Sequence, residues 1–125
     1  MTVNEVIARV DKHCPNQISK ADKVGFITAC ERRLINEALS NYPAAKYDRN
    51  FKKYDPDTDG ERELLAECPY DELYVHYVMA EIYLILHEQN HYNNELYIFN
   101  SLYGDYKIHL IKTMRPSGPS RFRVR

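Results

Sequence analysis

Apolar residues recur at helical intervals in four separate parts of the chain. In the first part they follow Thr2 and Glu5, whose spacing is that of a capping box, and they predict a short helix over about 3–12. In the second part Ser19 is the expected N-cap, and an apolar stripe continues to roughly Leu39. The first third of the chain therefore predicts two helices, each with one apolar face.

The next two helices are joined by a short polar turn. The third is expected over about 69–88, with Pro69 at its first position and two apolar stripes that must be buried centrally or contact neighbours on both sides. One stripe consists of Leu73, Tyr77, Ala80 and Leu84, and the other of Tyr74, Val78, Ile82 and Ile85. Apolar positions in the fourth step by 4, 3, 4, 3 and 4 residues, as in a heptad seam. These positions are Tyr92, Leu96, Phe99, Tyr103, Tyr106 and Leu110. We therefore predict an all-α fold, a small four-helix bundle-like domain with a long antiparallel hairpin of helices three and four, against which the first two helices pack.

Two segments lie outside the helical pattern. Residues 43–68 form a long loop between helices two and three, and loops of this length are typically functional or ordered by partners. Within it, Glu63–Ala66 fits a short extended segment and a helical turn equally. Past Thr113, proline, glycine and serine end the helical pattern, and the last five residues alternate at period 2. We divide the chain into a helical domain, 1–114, and an extended basic C-terminal arm, 115–125.

Composition indicates one globular domain, and its charge is unevenly distributed along the chain. The chain has 125 residues, of which 44% are hydrophobic and 28% charged, as expected of one compact domain. Residues 1–114 hold 13 Lys and Arg against 18 Asp and Glu, whereas residues 115–125 hold four arginines and no acid. Eleven tyrosines with no tryptophan suit core edges and also partly hydrated contacts between subunits. An acidic body therefore carries a basic arm.

The same sequence predicts an intracellular protein. No apolar run reaches the roughly 20 residues that a membrane span needs, and the first residues lack the basic and apolar pattern of a secretory signal. The three cysteines, at positions 14, 30 and 68, are odd in number and too widely spaced for a zinc or redox pair. We expect reduced thiols, and we expect Cys68 to be buried or half-buried.

One short motif matches a catalytic pattern. Residues His87–His91 read H-E-x-x-H, in which two histidines one helical turn apart hold zinc and the glutamate activates water. The pattern needs a continuous helix and a third ligand, but asparagines follow it and Tyr97 stands at one third-ligand position. A zinc hydrolase is therefore a minor hypothesis, and a solvated turn between helices is the favoured interpretation. We expect no enzymatic activity and no cofactor.

A second motif resembles half of a calcium loop. Asp55, Asp57, Asp59 and Gly60 match its positions 1, 3, 5 and 6, where closely spaced carboxylates surround a hard cation. The bidentate glutamate required at position 12 is replaced by Ala66. We favour an acidic surface turn, and leave cation binding open.

The arm supplies the candidate partner interface. Its candidate residues are Arg115, Arg121, Phe122, Arg123, Val124 and Arg125. Alternating cations with an interleaved aromatic residue suit phosphate and nucleic acid. They also suit strand addition to an exposed edge, with the arginines meeting acidic groups of a neighbour, and a frayed end is the third interpretation. We favour docking against a neighbouring copy, because the acidic body would repel DNA and attract a basic arm.

Several runs also resemble a known family. The run Glu63–Tyr77 contains E-L-L followed by P-Y-D-E-L-Y, and it is continued by Y-N-N at Tyr92–Asn94, by F-N at Phe99–Asn100 and by Met114–Pro116. The opening Thr2–Asp11 also fits. Together these runs resemble the head-to-tail connector proteins, also called adaptors or head-completion proteins, of tailed phages and prophages of Gram-positive bacteria.

The resemblance implies a structural subunit of the phage neck. Such a protein would form a ring of about twelve copies, following portal symmetry, that joins the portal of the DNA-filled capsid to the tail. Its partners would be its own copies, the portal protein, a tail-side neck or tail-completion protein, and genomic DNA that passes without sequence-specific binding. It would lie in the virion at the capsid–tail junction, and in the host cytoplasm during assembly. The alternative function is a small DNA-binding module that uses the arginine-rich tail.

Overall fold

The computed structural model describes residues 1–114, and within them the chain forms four α-helices and no strand. The helices are α1 (Val3–His13), α2 (Lys20–Glu37), α3 (Glu72–Ile85) and α4 (Gln89–Thr113), with one 3₁₀ turn, Leu39–Asn41, after α2. The predicted all-α fold is confirmed, including the long loop between α2 and α3.

The first two helices begin where the capping residues predict. The Thr2 hydroxyl accepts a hydrogen bond from the Glu5 amide at 3.2 Å, and the Glu5 carboxylate accepts one from the Thr2 amide at 2.7 Å. At α2, the Ser19 hydroxyl accepts from the Asp22 amide at 3.1 Å. These bonds satisfy amides at the helix starts that have no partner within the helix.

Helix α3 lies at the centre of the fold. It contacts α1, α2 and α4, which accounts for the apolar residues on more than one of its sides. Its buried residues are Leu73, Tyr74, Val75, Val78, Met79, Ala80 and Ile82. The predicted stripes end earlier than expected, because Leu84 and Ile85 are exposed near the turn to α4.

The heptad seam of α4 faces α3 as predicted. Phe99, Tyr103, Tyr106 and Leu110 are buried, while Tyr92 and Leu96 at the start of the seam are half-buried. The Phe99 ring meets Tyr77 of α3 edge-on at 5.2 Å between centroids, and stacks on Tyr103 at 5.5 Å. Aromatic packing therefore fixes the hairpin.

The predicted start of helix three at Pro69 is wrong. The amides of Tyr70 and Asp71 both donate to the Glu67 carbonyl, at 2.8 and 3.1 Å, and close a turn over Pro69, whose peptide bond to Cys68 is cis. The helix begins only after this turn, at Glu72.

Helix α4 extends well beyond its partner. It has 25 residues against 14 in α3, so its distal half lies past the start of α3. That half packs on the turn before α3, where the Tyr70 ring lies 5.8 Å from the Tyr106 ring and 4.8 Å from the His109 ring. The opposite side of the distal half carries exposed apolar residues.

Candidate interaction surface

A buried carboxylate on α2 holds the long loop in place. Glu31 is 0% exposed and accepts hydrogen bonds from the Tyr54 hydroxyl at 2.7 Å, from the Leu65 amide at 3.0 Å and from the Tyr74 hydroxyl. Burial raises the pKa of the Glu31 carboxyl above 4.5, against the opposing effect of these three donors. The loop, which was expected to be functional or ordered by partners, is thus anchored by its own chain.

The end of the loop is extended and runs beside the start of α1. Glu63 and Thr2 form an isolated antiparallel bridge, and the Leu64 amide donates to the Met1 carbonyl at 3.0 Å. Of the two alternatives left open for Glu63–Ala66, the bridge favours the extended one.

The three loop aspartates stabilise a turn. The Asp55 carboxylate accepts from the Asp57 amide at 2.7 Å, and the Asp59 carboxylate accepts from the Asp55 amide at 2.7 Å. The Gly60 carbonyl accepts from the Asn4 amide at 2.8 Å, and a Cβ added at Gly60 would lie 2.4 Å from the Asn4 side chain. Among residues 1–114, no three His, Cys, Asp or Glu side chains form a group that could hold a metal ion. The Asp55 and Asp59 carboxylates thus stabilise an exposed turn through hydrogen bonds to its amides.

The H-E-x-x-H motif spans the turn between α3 and α4 and the first three residues of α4. Helix α4 begins at Gln89, and His87 has a left-handed backbone with φ of 59°. His87 and His91 therefore do not lie on one continuous helix, which the zinc pattern requires. The His91 ring instead stacks on Tyr83, with 4.8 Å between centroids. This geometry agrees with the predicted solvated turn.

Replacing His87 by glycine is expected to raise the free energy of unfolding by about 0.5–1 kcal/mol, because glycine adopts a left-handed backbone without steric cost. The measurement is urea denaturation followed by circular dichroism. His87→Ala is the matched control, since it removes the imidazole and keeps the Cβ. An equal gain from both variants would contradict the backbone explanation.

The three cysteines are free. Cys14 and Cys30 are buried, and burial raises the pKa of both thiols, which keeps them protonated and weakly nucleophilic at neutral pH. The prediction that Cys68 is buried or half-buried is wrong, because its side chain is exposed. The reason is the late start of α3, which leaves Cys68 in a surface turn.

A groove between α1, α3 and α4 contains paired charges. The Arg9 guanidinium donates twice to the Glu72 carboxylate, at 2.8 Å each, and His76 Nδ1 lies 2.6 Å from the Glu95 carboxylate. These pairs connect the helices across the groove. One pair joins α3 to α1 and the other joins α3 to α4, so the charged groups of the groove are paired within the chain.

Exposed large apolar side chains form two patches on the hairpin. The first, the hairpin tip, consists of Leu84, Ile85 and Leu86. The second, the outward face of α4, consists of Tyr97, Ile108 and Ile111, with Ser101 and Gly104 between them. Exposed apolar side chains grouped in this way are candidates for contact with another protein.

The outward face of α4 was not predicted, although the spacing that indicates it is present in the sequence. Tyr97, Ser101, Gly104, Ile108 and Ile111 step by 4, 3, 4 and 3 residues, the same spacing as the buried seam. Helix α4 therefore has two apolar sides. One is covered by the rest of the fold, and the other is exposed.

The arm predicted as the partner interface lies outside the described residues. This holds for Arg115, Arg121, Phe122, Arg123, Val124 and Arg125. Among residues 1–114, no helix is both long and apolar enough to cross a membrane. Comparisons with protein-family models, with curated proteins and with solved structures gave no match.

Proposed function

We propose that this chain is a structural protein of the phage neck, which forms an oligomeric ring between the portal of the DNA-filled capsid and the tail. The observation that carries the proposal is the pair of exposed apolar patches at the hairpin tip and on the outward face of α4. Two different patches on one chain suit contacts with two different neighbours, as a closed ring requires. The sequence resemblance to connector proteins agrees with this reading.

The charge distribution supports the same function. Residues 1–114 carry an excess of acidic groups, so a ring of about twelve copies could present a lumen that repels DNA and lets it slide. The basic arm, 115–125, would then bind the portal or the next ring. In this proposal the protein acts through its interfaces and catalyses no reaction.

The test is docking to portal rings of the same phage. The full chain is expected to co-sediment with the portal and to add a ring visible by electron microscopy. A variant that ends at Met114 is expected to lose docking and to keep its helical circular dichroism, because the four helices lie within residues 1–114. Retained docking by this variant contradicts the role of the arm, and failure of the full chain to dock contradicts the neck function.

A small DNA-binding module is the second candidate, favoured by the four arginines and absent acids of residues 115–125. It predicts that the full chain binds duplex DNA with an affinity that falls steeply as salt rises. Such binding, without portal docking, would replace the neck function by this alternative.

A further inference from the structure

The two exposed apolar patches differ in shape. The hairpin tip is the convex end of two helices, where Leu84, Ile85 and Leu86 follow one another into the turn. The distal half of α4 instead borders a shallow depression beside the turn that precedes α3. Its lining residues are Tyr70, Asp105, Ile108, His109 and Lys112. The protruding end of a hairpin and a depression are complementary in form, and the lining of this depression is mixed, with Tyr70 and Ile108 beside three polar residues.

The two patches also differ in charge along the hairpin. No Lys or Arg occurs from Glu63 to Tyr106. At the tip, Glu81 precedes Leu84 and Ile85 by three and four residues, which places it on their side of α3, and Glu88 follows in the turn. The hairpin's own charges near the tip are therefore acidic.

The basic side chains of the hairpin both lie in the distal part of α4. Lys107 and Lys112 are exposed beside Ile108 and Ile111, and the Lys107 ammonium lies 4.5 Å from the centroid of the Tyr103 ring. The acidic residues near them are Asp105 and Glu67, whose carboxylate lies 3.4 Å from His109 Nε2. Lysines at the border of an apolar patch attract carboxylates of a partner and set its orientation. A partner with an apolar end and an acidic border thus fits this surface.

We propose that the hairpin tip of one copy docks on the distal outward face of α4 of a second copy, with Glu81 and Glu88 near Lys107 and Lys112. This inference rests on the proposed function in taking the neighbour to be a copy of the same chain. A contact between two equal α4 faces would leave the apolar tip uncovered, whereas tip-to-face docking covers both patches. Because the two surfaces are different, the contact repeats from copy to copy and closes into a ring when the rotation allows.

Disulfide trapping tests which surfaces meet. All variants carry Cys68→Ser, because Cys68 is exposed and Cys14 and Cys30 are buried. One protein carries Ile85→Cys at the tip, and a second, isotopically labelled protein carries Ile108→Cys on the α4 face. The control thiol is Asn36→Cys on the exposed side of α2. The proteins are mixed in pairs under mild oxidant, with and without portal rings, and the products are identified by mass.

Tip–face disulfides are expected to form at least about tenfold faster than any other pair, since a specific contact raises the effective concentration of two thiols. Faster face–face or tip–tip crosslinking overturns the proposal, as do rates equal to those of the α2 control. Portal docking without tip–face crosslinks contradicts the proposed tip–face contact and leaves the neck function standing. Tip–face crosslinks without portal docking contradict the neck function and leave the proposed contact standing.

Charge reversal tests the orientation within the same assay. Lys107→Glu with Lys112→Glu in the face-thiol protein is expected to lower the rate of tip–face crosslinking, and Glu81→Lys with Glu88→Lys in the tip-thiol protein is expected to restore it. The effect should weaken at high salt because exposed charges are screened. A rate that both reversals leave unchanged overturns the proposed placement of these charges.

Discussion

Replacing Glu31 by alanine is expected to lower the free energy of unfolding by about 3–5 kcal/mol, because it leaves buried donors without an acceptor. The donors are the hydroxyls of Tyr54 and Tyr74 and the amide of Leu65, which belong to the loop and to α3. Removing one carboxylate therefore detaches the loop from the helices at two points. Urea denaturation measures the loss, and hydrogen exchange of the Leu65 amide reports whether the loop opens first.

Two variants separate this network from ordinary helix effects. Glu31→Gln keeps an acceptor oxygen and is expected to cost less than alanine, because the Tyr74 hydroxyl can rotate to accept from the amide. Glu37→Ala is the matched control on the same helix, where the carboxylate pairs with Arg33 at 3.1 Å and accepts from the Tyr103 hydroxyl at 2.9 Å. Because this carboxylate is half exposed, water can replace it as a partner of both groups. We expect it to cost less than about 1 kcal/mol. Equal losses for Glu31→Ala and Glu37→Ala would contradict the anchoring role of Glu31.

The Glu31 carboxyl also predicts a pH dependence. Its pKa is raised above 4.5 in the folded state, so the folded chain holds this proton more tightly than the unfolded chain. The contribution of Glu31 to stability is then greatest below about 4.5, falls as the pH rises through the raised pKa, and levels off above it. The difference in stability between the parent chain and Glu31→Gln should follow this curve.

Local spacing predicted the helices because each signal lies within a few residues of its effect. Capping at Thr2 and Ser19, and the buried seam of α4, depend on neighbours three or four positions away. The predicted start of α3 was wrong because Pro69 was assigned from its local preference for the first helical position. In the structure Pro69 lies in a turn that is closed by hydrogen bonds to the Glu67 carbonyl. The error then carried over to the exposure of Cys68.

The loop anchor, and which apolar sides of the helices stay exposed, lay beyond this local information. Glu31 binds groups 23, 34 and 43 residues away along the chain, and no spacing rule connects them. Periodicity also shows that a helix side is apolar without showing whether a neighbour covers it. Leu84 and Ile85 were assigned to buried stripes for this reason, although the fold leaves both exposed.

Substitutions of two aromatic residues of α4, one on its buried side and one on its outward face, test by unfolding free energy which side the fold covers. Phe99 is 0% exposed and lies between the Tyr77 and Tyr103 rings, with the Arg33 guanidinium 5.4 Å from its centroid. Phe99→Ala is expected to lower the free energy of unfolding by about 3–5 kcal/mol, the lost transfer free energy plus the cost of the cavity. Urea denaturation of dilute protein measures this loss in the absence of association.

Tyr97 is the matched control, two positions away and 75% exposed on the opposite side of α4. Tyr97→Ala removes a side chain of similar size that packs on little of its own fold, so we expect a change within about 0.5 kcal/mol. A loss as large as that of Phe99→Ala would mean that the outward face of α4 is covered within the chain. The expected contrast instead leaves that face free for a second copy, because an apolar side chain that adds nothing to folding is available for assembly.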